Sequence, residues 1–482
     1  MSQPATTTAS PVPAIGRAAS GPGLKTNHLS FIEVVAQSIG VIAPSGTPGL
    51  VIPVVFATAG NGTWLAYAFA TIALLIVSLQ INVFATRVAT PGSLYVYAGH
   101  GLGRLAGVFS GWALLIGYVF TAAAVIDGTV STSLAVFQNF GFQTSTIPVL
   151  IAFSVIATVI AFALGWRDIR LSSRTTLAIE FTTLALILLT VAGWFLHHHS
   201  IVDTAQTQLQ GVNPGELRLG LVLAFFSFVG FESATVLGIE SQQPRRFIPR
   251  AVIASVAGVG IIFVISAYGL VAAFHGAATP LNQSDAPLTV VAQAFGFGGI
   301  GLLISIGVAL SFFACILGSI NAAARVLFTL SHHGLFHSSA RSTHDTHASP
   351  HVALAVVTVV AIGLALALTF SHWAILDAYG ILGSLATYGF LVSYGLIAIA
   401  APVFLFRRGE LKIGHILSTI AAVVLLLVVV VGTVYPVPSW PYNVLPYIFI
   451  ALLLVGVAYF LALRILAPER LAAVEAEVLG EE

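Results

Sequence analysis

Long apolar runs dominate this chain, and most are near or above the ~18–20 residues that cross a bilayer. They fall at about 29–57, 64–87, 105–137, 147–165, 174–196, 218–241, 251–274, 299–330, 352–370, 373–406, 413–434 and 442–466. Little polar sequence remains between them for a soluble domain. Composition agrees, with 58% hydrophobic and 7% charged residues and a mean hydropathy of +1.00. The expectation is an all-α integral membrane protein of twelve transmembrane helices set in a lipid bilayer. The single cysteine, Cys315, lies inside one run, which excludes an intrachain disulfide and a Cys-rich metal site. Residues 1–28 are rich in Ser, Thr, Pro and Ala and lack an apolar core. They read as a disordered tail with no cleavable signal peptide. Residues 467–482 read as a short Ala/Glu-rich amphipathic tail.

Charge placement tests this map independently. Sorted by the loops they occupy, the Lys and Arg residues, from Arg17 and Lys25 through Arg87, Arg167, Arg245, Arg325 and Arg407 to Arg470, all fall on one face except Arg218. By the positive-inside rule that face is the cytoplasm, so a multi-pass protein of the cytoplasmic (inner) membrane with both termini inside is expected. The net charge of +1 gives no reason to invoke nucleic acid.

Two runs are interrupted. The first holds Ala43-Pro44-Ser45-Gly46-Thr47-Pro48-Gly49, whose prolines remove backbone donors and whose glycines tolerate unwinding. The sixth, AFFSFVGFESATVLGIE, carries Gly230, Gly238, Ser233, Thr235 and the carboxylate of Glu232 at mid-depth, where a charge is expensive unless it faces protein or a water-filled cavity. If runs one to five (29–196) and six to ten (217–406) are repeats, an odd number of spans inverts their topology and the interruptions correspond. Residues 412–466 add helices eleven and twelve. Matched breaks in two halves point to a mid-membrane site made of half-helix ends, where amides meet an anionic group and carbonyls a cation. A zwitterionic amino acid carries both.

At these residues the chain resembles the amino acid–polyamine–organocation (APC) superfamily, of the bacterial amino acid permease type. Phe228-Val229-Gly230-Phe231-Glu232-Ser233-Ala234, Gln243-Pro244-Arg245-Arg246 and Ile248-Pro249-Arg250-Ala251 are similar to its signature. Pro91-Gly92-Ser93-Leu94-Tyr95 with Gly111-Trp112 and Tyr118, Ser319 with Asn321-Ala322 and Arg325, and Ser349-Pro350 extend the likeness over residues 29–406. The resemblance implies a LeuT-like 5+5 inverted repeat with broken helices 1 and 6, plus two C-terminal helices, and alternating access. It implies that a substrate carboxylate meets the amides of Ser45, Gly46 and Thr47. An ammonium would meet carbonyls near Val41, Ile42, Phe226 and Val229, with Phe226 as an aromatic lid and Glu232 as the coupling carboxylate. The family's Gly-small-Gly turn is replaced here by Pro-Ser-Gly-Thr-Pro, which deletes two donors.

Substrate and coupling are bounded by what the spans contain. Some relatives place a lysine in span five, but Lys25 and Lys412 are the chain's lysines and neither lies there. Of the intramembrane acids, Glu33, Glu180 and Glu240 read as interfacial and near cytoplasmic ends. Asp127 and Asp377 read as facing extracellular water, and Glu232 as the deepest, suited to taking and giving a proton. Proton symport is the expected coupling, with sodium or exchange as alternatives. Phe226, Gly230, Phe231, Tyr118, Tyr379, Ser319 and Thr235 offer aromatics and hydroxyls for an amino acid or amine. The spans lack the Arg or Lys a second carboxylate would need. His197-His198-His199 and the histidines from His332 to His351, His347 among them, read as solvated loop residues. No phosphate loop, nucleophile elbow or zinc motif occurs, so neither an enzyme nor a cofactor is expected. A multi-span enzyme and a channel are the competing classes; neither needs two matched broken helices.

Overall fold

The structure, a computed structural model, describes residues 24–138, 140–142, 146–167, 169–199, 201–284, 286–294, 296, 298–344 and 349–466. Most of the expected N-terminal tail (1–23), the C-terminal tail (467–482) and His347 lie outside the described residues. The chain begins with α1 (Phe31–Ile42), a π-helical turn (Thr47–Val51), α2 (Ile52–Ala59), α3 (Thr63–Ala85), α4 (Leu94–Leu102), α5 (Arg104–Gln138), α6 (Ile147–Arg167) and α7 (Ile169–His198). It continues through α8 (Thr204–Thr207), α9 (Pro214–Phe226), a 3-10 stretch (Phe231–Leu237), α10 (Pro244–Ala273), α11 (Pro287–Ala294) and α12 (Gly298–His332). The last elements are α13 (His351–Phe370), α14 (Ile375–Arg407), α15 (Ile413–Gly432) and α16 (Leu445–Leu466). Among the described residues there is no strand, only an isolated bridge between Leu29 and Ser241.

Eleven helical stretches among the described residues are long and apolar enough to cross a membrane. The first, Phe31–Ala85, runs 55 residues and takes in both of the first two expected spans. As one straight helix it would measure about 80 Å at 1.5 Å per residue, far beyond a ~30 Å hydrocarbon core. It is divided instead. Ala43 adopts the left-handed conformation (φ 50°, ψ 62°) after α1, and Gly60 ends α2 at φ 51°, ψ −130°.

Local chemistry sets the ends. At the start of α1, Glu33 accepts from both the amide and the hydroxyl of Ser30, so the first turn closes on its own side chain. Asn213 accepts from the Gly215 amide (2.8 Å) and Pro214 occupies the first position of α9, where its missing N–H is no loss.

Helices α5, α12 and α14 form the middle of the bundle. A Cβ on Gly389 would lie 2.8 Å from the Gly117 amide nitrogen, so α5 and α14 meet backbone to backbone through small residues. By contrast α13, α15 and α16 turn large apolar side chains outward, including Val359, Leu417, Ile420, Leu454 and Val455. That exposure suits a lipid solvent; soluble surfaces of this kind mark association sites.

Candidate functional site

The break in the first stretch and the break before Phe231 lie against one another. α9 ends at Phe226, and Gly230 takes φ +90° before the 3-10 stretch, within the sixth run expected to be interrupted. A Cβ at Gly230 would run into the Val41 side chain, so glycine serves both the backbone angle and the close approach. Side chains of α1 complete the junction. Ser38 Oγ donates to the Phe231 carbonyl (2.7 Å) and accepts from the Ala234 amide (3.2 Å), and Ser233 Oγ donates to the Gln37 carbonyl (3.2 Å). These bonds replace the helical ladder that the break gives up.

Glu232 is fully buried in the 3-10 stretch and accepts from Tyr118 of α5 (2.6 Å to Oε1) and from Tyr394 of α14 (2.5 Å to Oε2). Its two oxygens thus tether the break to the two central helices. Thr235 joins the same knot, donating to the Glu232 carbonyl at 2.7 Å, with Ser93 Oγ 2.5 Å from its hydroxyl.

Aromatic rings close the other side. Phe226 meets Tyr379 edge-on at 5.6 Å between centroids, and Tyr379 meets Phe312 at 5.8 Å. Gly46 lies under Phe312, where a Cβ would be 3.0 Å from the ring. The rings therefore span from one break to the other. Near them Tyr67 and Ser227 share a hydrogen bond of 3.2 Å.

The expected backbone groups at the breaks are largely engaged within the protein. The Gly46 amide donates to the Ala43 carbonyl (2.9 Å) and the Val229 amide to the Phe226 carbonyl (3.1 Å). The Val41 carbonyl accepts the Cys315 thiol (2.8 Å), and Cys315 lies 3.8 Å from Ser319 Oγ on α12. Ser45 donates its amide (3.2 Å) and hydroxyl (2.8 Å) to Glu180 Oε2 on α7. Ile42 and Thr47 are buried beside them.

Two acids stand elsewhere than the sequence suggests. Glu180 was expected near the cytoplasmic end of its span, but α7 starts at Ile169, which puts Glu180 about 16 Å into the helix, against the break. Asp127 was expected to face water; instead α12 and α14 pack along α5, and the carboxyl is buried with neither oxygen hydrogen-bonded. Asp377 is exposed. Glu240 is buried and held by Arg325 (Nε–Oε1 2.7 Å, Nη2–Oε2 3.2 Å), and Glu33 is held by Arg174 at 2.7 Å. His333, expected in solvent, is buried and 2.6 Å from the Tyr95 hydroxyl. Among the described residues no group of His, Cys, Asp and Glu could hold a metal ion.

Sequence reasoning missed Tyr394, Ser38 and Gln37. Tyr394 lies on α14 about four turns after Tyr379, and nothing in its local sequence marks it. Ser38 and Gln37 are polar residues inside an apolar run, and that signal was available.

Residues 29–459 match the family described as "Amino acid permease". Among curated proteins, the chain is 26% identical over 316 residues to "Branched-chain amino acid permease BcaP" of Bacillus subtilis (strain 168), covering 61% of this chain and 65% of that protein. It is 24% identical over 399 residues to "Cationic amino acid transporter 4" of Homo sapiens, covering 79% of this chain and 60% of the relative. A "Methylthioribose transporter" of Bacillus subtilis (strain 168) is 23% identical over 403 residues, 80% of this chain and 82% of its own length. The chain thus spans less than two thirds of the length of the first two.

Proposed function

The chain belongs to the amino acid permease family, and on that premise we propose that it is a secondary active transporter, which moves amino acids or related amines across the cytoplasmic membrane by alternating access and proton symport. The observation that carries this reading is the meeting of two helix breaks at Val41 and Gly230 deep in a membrane-type bundle. Irregular backbone at such depth is tolerated only when protein buries it or it lines a pathway. The names of the relatives, permeases and transporters, support it as well.

Counting Phe31–Ala85 as two spans brings the total among the described residues to twelve, which the proposal arranges as a 5+5 inverted repeat with two further helices. Contacts of α1 with the 3-10 stretch, α3 with α10 and α5 with α12 support it, because they pair spans one with six, two with seven and three with eight. In this reading both termini, Arg174 and Arg325 lie on the cytoplasmic side. The substrate sits between the breaks, among Val41, Ile42, Ser45, Gly46, Thr47, Phe226, Val229, Gly230, Phe231, Tyr118 and Ser319. Phe226 gates the site against Tyr379, and Glu232 couples the break of span six to α5 and α14.

Uptake into proteoliposomes under an imposed inward proton gradient tests the proposal, with radiolabelled branched-chain and cationic amino acids and amines. Gradient-driven accumulation of one class is the expected outcome. Uptake that appears only with preloaded substrate makes the protein an exchanger, and dependence on sodium alone replaces the coupling ion. No uptake under any condition sinks the reading.

A further inference from the structure

Glu180, like Asp127, is a buried acid that the transport reading leaves without a task, and Glu180 is the one bonded to a helix break. Its Oε2 accepts both donors of Ser45, the residue whose amide a substrate carboxylate was expected to use. Its Oε1 is buried without a well-formed hydrogen bond, and the same holds for the hydroxyl oxygen of Ser311 on α12, although the two side chains lie within reach of each other. Neither lies in the knot around Glu232.

We infer that Glu180 is the proton acceptor linked to substrate binding: a ligand carboxylate docking on the span-one break competes for Ser45, and Glu180 takes up one proton from water when it does. The inference rests on the transport reading and gives it a substrate-dependent step. Two carboxylates that share the same donors do not both stay ionised. A proton on Oε1 creates one O–H bond and breaks none within the protein. Ser311 lies within reach of the carboxyl, and its hydroxyl can accept from the protonated acid as well as donate to the ionised one. Ser45 is freed to turn from Glu180 to the ligand.

The surroundings agree with this division of labour. Cys315 of α12 is a titratable group near Glu180. Arg174, on the same helix, is engaged by Glu33 of α1. Among the described residues, α11 contains no acid or base, Arg167 of α6 lies at its helix end, and the arginines of α10 (Arg245, Arg246, Arg250) lie in its first turns. Arg325 of α12 is engaged by Glu240, so among the described residues no arginine of these helices balances an ionised Glu180, while both oxygens of Glu232 already hold tyrosine hydroxyls. An amine without a carboxylate leaves Ser45 with Glu180 and brings no proton.

Two readouts on the purified full-length protein test this. Infrared difference spectra across pH, with no ligand, follow the carboxyl C=O absorption. A pH-dependent band lost in Glu180→Gln and displaced in Ser311→Ala, which keeps the carboxyl, is expected. A titration identical in all three proteins overturns the inference. Calorimetry in buffers of different protonation heat then counts protons for leucine and arginine against isopentylamine and agmatine. About one proton taken up with each amino acid and none with each amine is expected, with the uptake abolished by Glu180→Gln. Equal uptake for acid and amine, or uptake that survives the substitution, overturns it. If no probe binds, the amino acid reading fails and the infrared titration alone decides Glu180.

Discussion

Arg325 of α12 grips Glu240 with two nitrogens, Nε at 2.7 Å and Nη2 at 3.2 Å, and both side chains are almost fully buried. The carbonyl of Glu240 also accepts the amides of His28 (2.8 Å) and Leu29 (2.9 Å). One residue thus fastens the segment before α1, the end of the second break and α12 at the same end of the bundle. In the proposed cycle this junction must part for the site to open toward the cytoplasm.

Breaking that pair from one side leaves a buried charge alone, which costs about 3–5 kcal/mol, whereas replacing both partners by apolar groups is often neutral. Glu240→Gln and Arg325→Met should each lower the thermal unfolding midpoint markedly, and the Glu240→Leu/Arg325→Met double variant should recover most of it. A double variant as unstable as the worse single one would contradict the pairing argument.

Tyr394→Phe removes one of two donors to a buried carboxylate. Hydrogen bonds to charged groups contribute about 1.5–3 kcal/mol, so the variant should lose stability in that range. Because Glu232 ties the break of span six to α14 in the proposed cycle, the variant should also slow uptake. Tyr118→Phe should behave alike, and a double-mutant cycle with Tyr394→Phe should be non-additive because both act on Glu232.

Gly230→Ala meets two obstacles, a left-handed backbone angle that costs roughly 1–2 kcal/mol for an L-residue and the Val41 side chain. Adding Val41→Ala removes the contact with the γ-carbon but leaves Cβ 2.7 Å away, so it should relieve only part of the second. Partial recovery of the unfolding midpoint is therefore expected, and full recovery would mean that the angle carries no strain.

Outside the spans, the Arg87 guanidinium donates to Glu410 at 2.6 Å and holds that carboxyl below its ordinary value of 4.5. A depressed carboxylate contributes stability above its unfolded pKa and loses it as pH falls through the folded one. The pair is solvent-exposed, so its contribution is small and salt-sensitive. Unfolding midpoints of wild type and Arg87→Ala should differ slightly at neutral pH and converge in acid or high salt.

Much of the site was legible because its residues violate the rule of the segment they occupy. Prolines and glycines inside an apolar run announce a break, and a carboxylate beside Gly230 announces a partner. The partners themselves were not legible. Tyr394 is an ordinary aromatic in α14 until the fold brings it to Glu232, 162 positions away in sequence. Glu180 was misplaced because α7 begins before its apolar run does, and Asp127 because α12 and α14 pack along α5 and bury it, which no local pattern announces.

The sequence by itself determined a helical membrane protein of the permease family, with interruptions near Ser45 and Gly230. A bilayer leaves few ways to satisfy a backbone, and family signatures are local in the chain. Which donors remain for a ligand was decided only by tertiary structure. Ser45 holds Glu180, Val41 holds Cys315 and Glu232 holds two tyrosines. Each of these is a choice between partners remote in sequence. Burial forces every polar group to find one, and only packing says which.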